Sequence, residues 1–411
     1  MPPLLPYGRQ SIDDDDIAAV VGVLRSDWLA HGPRVGAFER AFAETVGATE
    51  AVACSSGTAA LHLALAALDV GPRDVCVVPA ITFLATASAV RFCGAQVVFA
   101  DVDVDTGLMT PDTLAEALAR APGPVRAVLP VHLAGRFCDT VVLAGIARRH
   151  GAVLVEDSCH AVGGTDGEGY AAGACIYSAA ATFSFHPVKT LAAGEGGMVT
   201  LNDPARAERM RRLRNHGVTR DPASMTRPFA FDGAGAANPW AAEQTELGFN
   251  YRMDEMSAAL GASQLTKLAR FAERRQALAA LYDAALAPLA PRLRPVPTPP
   301  GQRPCLHLYT VLIDFEAPDQ RAELMRALAA DGVGTQVHYV PLYRQPGFDP
   351  DGTASPLPGA EAYYRRVLAL PLFPAMADGD VDRVAEALAR HLDAIGAGSS
   401  TFGRDNTYTQ V

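Results

Sequence analysis

From about residue 50 to residue 200 the chain carries short apolar runs without polar alternation: AVAC, VCVVP, AQVVFADVD, VRAVLPVHL and AVLVEDS. Between them lie TAALHLALAAL, TPDTLAEALARA and DTVVLAGIARRHG, whose apolar residues return at helical spacing. Unbroken apolar runs of strand length suit strands buried on both faces, as in a parallel sheet. The repetition of strand and helix predicts an α/β layered domain with a mostly parallel sheet sandwiched by helices. Ahead of it, SIDDDDIAAVVGVLRSDWL predicts a helix capped by Ser11 with acids in its first turn, and GPRVGAFERAFAETVG predicts a second. Residues 203–216 read as an Arg-rich helix and residues 217–248 as loop. A long helix is expected from near Met253 past Lys267. After the Pro-rich PLAPRLRPVPTPPGQRP come strand HLYTVLIDF, helix QRAELMRALAADG, strand TQVHYVPL and helix VDRVAEALARHLDAIG, a small α+β domain. The expected division is an arm and large domain over 1–250, a connecting helix and small domain over 251–398, and a flexible tail over 399–411.

Composition narrows the classes. The 411 residues, 49% of them hydrophobic, can build more than one core. A net charge of −10 and the absence of a basic cluster argue against nucleic acid as a partner. Seven scattered cysteines with no CxxC pair read as small buried residues, not as disulfides or zinc ligands, and no HExxH motif suggests a metal. The N-terminus lacks the pattern of a signal peptide, and no apolar run is long enough to span a bilayer. The expectation is a soluble cytoplasmic protein with no membrane partner.

The chain has 33 arginines and two lysines, Lys189 and Lys267. Only lysine offers an amine that can bond an aldehyde cofactor, because the guanidinium stays protonated. Lys267, among apolar residues at helical spacing, reads as a solvated helix face. Lys189, in TFSFHPVKTLAAGEGGMVTLND, follows a strand-like run that ends in Ser184 and precedes a Gly-rich turn. Three further segments fall where strands should end, the edge at which open α/β sheets bind ligands. In SSGTAALHLAL, Gly57 and Thr58 open a helix and could cradle a phosphate, although an ordinary capped helix start reads the same. Phe83 in PAITFLATASAV could stack on a flat ring, although an aromatic there is more often core. In VEDSCHAVGG, Glu156 and Asp157 end a strand, where a carboxylate could hold a pyridinium nitrogen or an Asp could cap a helix, and His160 lies one turn on. Together these features match pyridoxal 5′-phosphate more strongly than any does alone. No GxGxxG or GxxxxGK[ST] motif offers a dinucleotide or Walker alternative. A non-catalytic cofactor-binding regulator would be expected to have lost the lysine or the cradle. A purely structural protein would leave Lys189 as a surface charge.

SSGTAALHLAL, PAITFLATASAV, VEDSCHAVGG, TFSFHPVKTLAAGEGGMVTLND, RNHGV, ELGFNYRMDEMSAALGASQL and GTQVHYVPLYRQPGF resemble, in order, the sugar aminotransferases of the DegT/DnrJ/EryC1/StrS family, over residues 8–395. The resemblance implies the type I fold of pyridoxal phosphate enzymes and a homodimer with shared active sites. It implies Lys189 as the cofactor-bonding lysine, Asp157 on the pyridine nitrogen, and Gly57, Thr58 and Ser184 at the phosphate. Phe83 would lie on the ring, His160 near the ring hydroxyl, and Asn250 at the neighbouring subunit's phosphate. Arg252 and His338 are candidate substrate-pocket residues. EDSCHAVG with TFSFHPVK is most like the branch serving pseudaminic acid synthesis. That implies amino transfer from L-glutamate to C4 of a UDP-linked 4-keto-6-deoxy sugar. Another UDP- or dTDP-keto sugar is the alternative, because the Ala/Gly-rich segment 220–246 departs from the pattern.

Overall fold

Seven strands form the central sheet: β1 (Glu50–Cys54), β2 (Val75–Pro79), β3 (Gln96–Ala100), β4 (Val125–Val128), β5 (Val153–Asp157), β6 (Ala180–Ser184) and β7 (Gly197–Leu201). The computed structural model describes residues 4–399 of the chain. The strand order is β1-β7-β6-β5-β4-β2-β3. Every neighbouring pair is parallel except those made by β7, which runs antiparallel to both β1 and β6. β2 and β7 are buried at every position, the reason their sequences show no polar alternation. Helices Gly57–Ala67, Leu84–Phe92 and Pro204–Leu213 join one hydrophobic cluster with the sheet. Helices Pro111–Ala119 and Thr140–Arg149 join another, and Pro33–Val46 and Glu255–Leu265 a third around Phe38, Phe42 and Phe185.

A three-stranded antiparallel sheet, Leu293–Pro295, Tyr309–Ile313 and Val367–Leu370, carries the C-terminal part. Its cluster includes helices Leu268–Leu286, Gln320–Ala330 and Asp378–Ser399. The N-terminal arm lies on this unit: Leu5 N–H donates to Gly332 O (2.8 Å), Gly334 N–H to Leu5 O (2.8 Å), and Leu372 N–H to Tyr7 O (3.1 Å).

Several expectations are corrected. Asp13, not Ser11, caps the first helix, in a reciprocal box with Asp16. An aspartate at that position meets the N3 amide with an acceptor that serine at 11 stands too far upstream to offer. The long helix is two, Glu255–Leu265 and Leu268–Leu286, interrupted at Thr266 and Lys267. TQVHYVPL forms no strand beyond one antiparallel bridge, Gln336 to Ala369, on the outer edge of Val367–Leu370. Lys267 is not on a solvated face: it is 8% exposed and pairs with Asp13 and with Asp16 Oδ1 (2.8 Å). The expected tail, 399–411, lies outside the described residues apart from Ser399. No described helix is long and apolar enough to cross a membrane. All seven cysteines are free, and five of them are buried.

Candidate active site

The carboxyl ends of β1, β2, β5 and β6 open on one cavity of about 500 Å3. Gly57, Thr58, Phe83, Asp157, His160, Ser184, Lys189 and His338 all line it, so eight of the ten candidate residues converge from segments up to 281 residues apart in sequence (57 to 338). Asn250 and Arg252 do not line this chain's cavity. Asn250 is exposed and bridges to Asn215, and Arg252 Nη1 donates to Asn215 Oδ1 (2.9 Å). None of residues 220–246 lines it either. That segment folds over Met225, Ala230 and Ala241 and leaves Phe229 and Trp240 exposed.

At one end is a cradle of donors. Ser56 Oγ caps the helix Gly57–Ala67 by accepting from Ala59 N–H (3.1 Å). The N–H groups of Gly57 and Thr58 are thereby left at the positive end of the helix, where an anion is favoured. Glycine is needed here: a Cβ at Gly57 would stand 2.7 Å from Ser184 Cβ. Gly197, paired with both Cys54 and Ser184, serves the same closure, since its Cβ would lie 2.2 Å from Ser56 O. The antiparallel β7 starts with this glycine where β1 and β6 end, and so their exit loops can meet. The Ser184 hydroxyl completes a set of donors of the kind a phosphate requires.

At the other end Asp157 closes β5, 5% exposed. Its Oδ2 accepts from Thr86 Oγ1 (2.7 Å), which in turn meets Thr82 Oγ1 (2.8 Å), and its Oδ1 accepts from Cys159 N–H (3.2 Å). The strand's alternation sends its neighbour Glu156 the other way, to His132 Nε2 (2.7 Å). Adjacent carboxylates therefore have separate partners. Lys189 follows β6 in a turn closed by its own N–H to His186 O (2.8 Å). Burial lowers its pKa from 10.5, although Cys159 and Asp157 pull the other way. A lowered pKa raises the share of the neutral, nucleophilic amine.

His160 accepts Ala134 N–H at Nδ1 (3.2 Å), which places its own proton on Nε2, 3.4 Å from the Tyr339 hydroxyl. Burial, then the charges of Lys189 and His338, hold it well below the usual histidine value and therefore neutral. Phe83, 55% exposed, tilts toward Tyr339 with ring centres 6.1 Å apart. Sequence reasoning missed Tyr7, Glu195, His307 and Tyr339, which also line the cavity. Tyr339 adjoins the His338 already singled out, and its place in HYVP was the available signal. Tyr7 and His307 reach the site only because the arm and the small unit fold over it.

The donor cradle, the carboxylate and the lysine of lowered pKa fit pyridoxal phosphate at its phosphate, ring nitrogen and aldehyde. The model of the DegT/DnrJ/EryC1/StrS aminotransferase family matches residues 10–389. The spore coat polysaccharide biosynthesis protein SpsC of Bacillus subtilis (strain 168) is 36% identical over 388 residues, 93% of this chain and 96% of that protein. Among solved structures, Helicobacter pylori PseC, an aminotransferase involved in pseudaminic acid biosynthesis, superposes with a TM-score of 0.85 at 26% identity, over 95% of this chain and 100% of that one. The sugar aminotransferase Spr1654 of Streptococcus pneumoniae, described as putative, superposes in its pyridoxamine phosphate form with a TM-score of 0.87 at 27% identity, over 97% and 100% of the two chains. Its pyridoxal phosphate form superposes with a TM-score of 0.85 at 26% identity, over 95% and 99%.

Proposed function

This chain belongs to the DegT/DnrJ/EryC1/StrS aminotransferase family, a family of pyridoxal phosphate enzymes acting on sugars, and we propose that it moves the amino group of L-glutamate to C4 of a UDP-linked 4-keto-6-deoxy sugar. The observation that carries the amino-transfer reading is the convergence on one cavity of the cradle at Gly57 and Ser184, the carboxylate of Asp157 and the amine of Lys189. Pyridoxal phosphate, when bound, supplies an aldehyde for the travelling amino group and a ring that takes up carbanion charge.

The residues divide the work. The N–H groups of Gly57 and Thr58 and the Ser184 hydroxyl bind the phosphate, and Asn250 reaches the phosphate of the neighbouring subunit in a homodimer. Asp157, held in place by Thr86, keeps a proton on the ring nitrogen. Phe83 covers one face of the ring, and neutral His160 donates Nε2–H toward the ring hydroxyl. Lys189 takes the proton from the α-carbon of L-glutamate in one half of the cycle and delivers a proton to C4 of the sugar in the other. A cytoplasmic location belongs to the same reading.

The C4 position and the pseudaminic branch, with UDP-4-keto-6-deoxy-L-AltNAc as substrate, rest on the EDSCHAVG and TFSFHPVK segments and on the likeness to PseC. A different UDP- or dTDP-linked keto sugar is the second reading, supported by the 36% identity to SpsC, a protein of spore coat polysaccharide biosynthesis. Turnover of a panel of UDP- and dTDP-linked keto sugars with L-glutamate, with products read by NMR, separates them. Exclusive use of the UDP-4-keto-6-deoxy sugar is expected. Preference for a dTDP-sugar, or amination at another carbon, would overturn the finer assignment.

A further inference from the structure

Asp157 is backed by a chain of two hydroxyls. Thr86 lies in the helix Leu84–Phe92 and is the one polar residue among those this helix buries, beside Ala85, Ala87, Ala89 and Val90. It is 0% exposed, and Thr82 is 1% exposed. A hydroxyl in such company is unfavourable unless it is hydrogen-bonded, and valine would fill nearly the same space without that cost. A helical threonine can turn its hydroxyl to the carbonyl four residues back. That of Thr86 crosses to β5 instead and donates to Asp157 Oδ2 (2.7 Å). An ionised carboxylate has no proton to give, and a hydroxyl has one. The Thr86 proton is therefore committed to Asp157, and the proton between Thr86 Oγ1 and Thr82 Oγ1 (2.8 Å) comes from Thr82. Both hydroxyls point the same way, from Thr82 to Thr86 to Asp157, and donors aligned in this manner polarise one another. Oδ1 is held separately by Cys159 N–H (3.2 Å). Each carboxylate oxygen keeps a further lone pair, and Asp157 lines the cavity.

Resting on the amino-transfer reading, we propose that Thr82 and Thr86 are positioning residues: their one-way hydroxyl relay aims the Asp157 carboxylate at the ring nitrogen of pyridoxal phosphate and so keeps that nitrogen protonated. Thr86 acts through Asp157, and Thr82 acts through Thr86. The sheet restrains only the backbone of Asp157, whose N–H donates to Pro130 O (2.9 Å) and whose carbonyl accepts from His132 N–H (3.1 Å). Its side chain turns on single bonds that these contacts leave free, and the Thr86 hydroxyl supplies the restraint at Oδ2. The chemistry of the donors matters as well as their place. An arginine behind Asp157 would orient the carboxylate but would also compete with the ring nitrogen for its charge. Two neutral hydroxyls orient it and leave the charge to the ring.

The test is a pH titration of the visible absorbance of the cofactor-loaded enzyme. A protonated ring nitrogen withdraws electrons from the lysine-bonded end of the cofactor, so that end gives up its own proton at lower pH. Thr86→Val removes the donor at nearly constant shape. It is expected to raise the midpoint of the titration by about one pH unit and to lower kcat about tenfold, with the half-saturating concentration of L-glutamate unchanged. Thr82→Val is expected to move the midpoint the same way by about 0.3 unit, and Thr86→Ser, which keeps the hydroxyl, to restore the wild-type value. Thr82→Val added to Thr86→Val should bring no further shift, because the relay is already cut. A wild-type midpoint in Thr86→Val, or shifts that simply add in the double variant, would overturn the relay. If Thr86→Val does not fold, Thr82→Val and Thr82→Ser decide: a raised midpoint in the first alone supports the relay, and equal midpoints overturn it. A raised midpoint in Thr86→Val without any amino transfer from L-glutamate by the wild type would instead sink the functional reading and leave the relay standing.

Discussion

At the residue scale, the site depends on atoms that are missing as much as on atoms that are present. Gly57→Ala would put a Cβ 2.7 Å from that of Ser184, and overpacking of this kind costs about 1–3 kcal/mol. Cofactor affinity is therefore expected to fall by about ten- to hundredfold, read by fluorescence titration of the apoenzyme; unchanged affinity would contradict the cradle. Asp157→Ala is expected to retain cofactor but lose about 100-fold or more in kcat, the scale of a mispositioned proton, and near-normal turnover would refute the role. These two residues are legible in the sequence because each sits at the end of an apolar run, where a parallel sheet presents its ligands. His307, Tyr7 and Tyr339 are not. Nothing in HLYTVLIDF marks its first residue as facing a site more than 100 residues upstream, and only the packing of the C-terminal unit brings it there.

At the scale of elements, the buried strands are legible, because an unbroken apolar run of that length suits little except a strand covered on both faces. The elements that depart from expectation are those decided by tertiary contacts. TQVHYVPL has the pattern of a strand, but it pairs with the outer edge of Val367–Leu370 at the single bridge from Gln336 to Ala369. Lys267 has the spacing of a solvated face, but the chain breaks there and turns the amine onto the first helix. The Lys267 ion pairs with Asp13 and Asp16 fasten Asp14–Leu24 to Glu255–Leu265. Lys267→Met strands the fully buried Asp16 carboxylate, and losing one partner of a buried pair costs on the order of 3 kcal/mol. Urea unfolding should show that loss, and wild-type stability would place the pair among ornamental contacts. The hydrogen bond from Lys267 also holds Asp13 down from 3.8 to about 2. Because the folded value is the depressed one, the contribution is fully present above 3.8 and is lost as pH falls through about 2. The acid limb of unfolding in Asp13→Asn should accordingly be flatter than in the wild type.

At the scale of the molecule, Asn250 and Arg252 lie outside the cavity that holds the other eight candidates, as expected if Asn250 serves a second copy. Subunit mixing discriminates the two arrangements. Lys189→Ala and Asn250→Ala proteins, inactive or nearly so alone, should regain activity when mixed, since one site per mixed dimer then has both residues intact. No recovery would place Asn250 in its own chain's site or in none. The scarcity of lysine makes the central claim, that Lys189 carries the cofactor, directly measurable. The cofactor-loaded enzyme is reduced with borohydride, digested, and its peptides are read by mass spectrometry. The account predicts the reduced cofactor on the peptide containing Lys189 and an unmodified Lys267. A label on Lys267 alone, or no label at all, would contradict it.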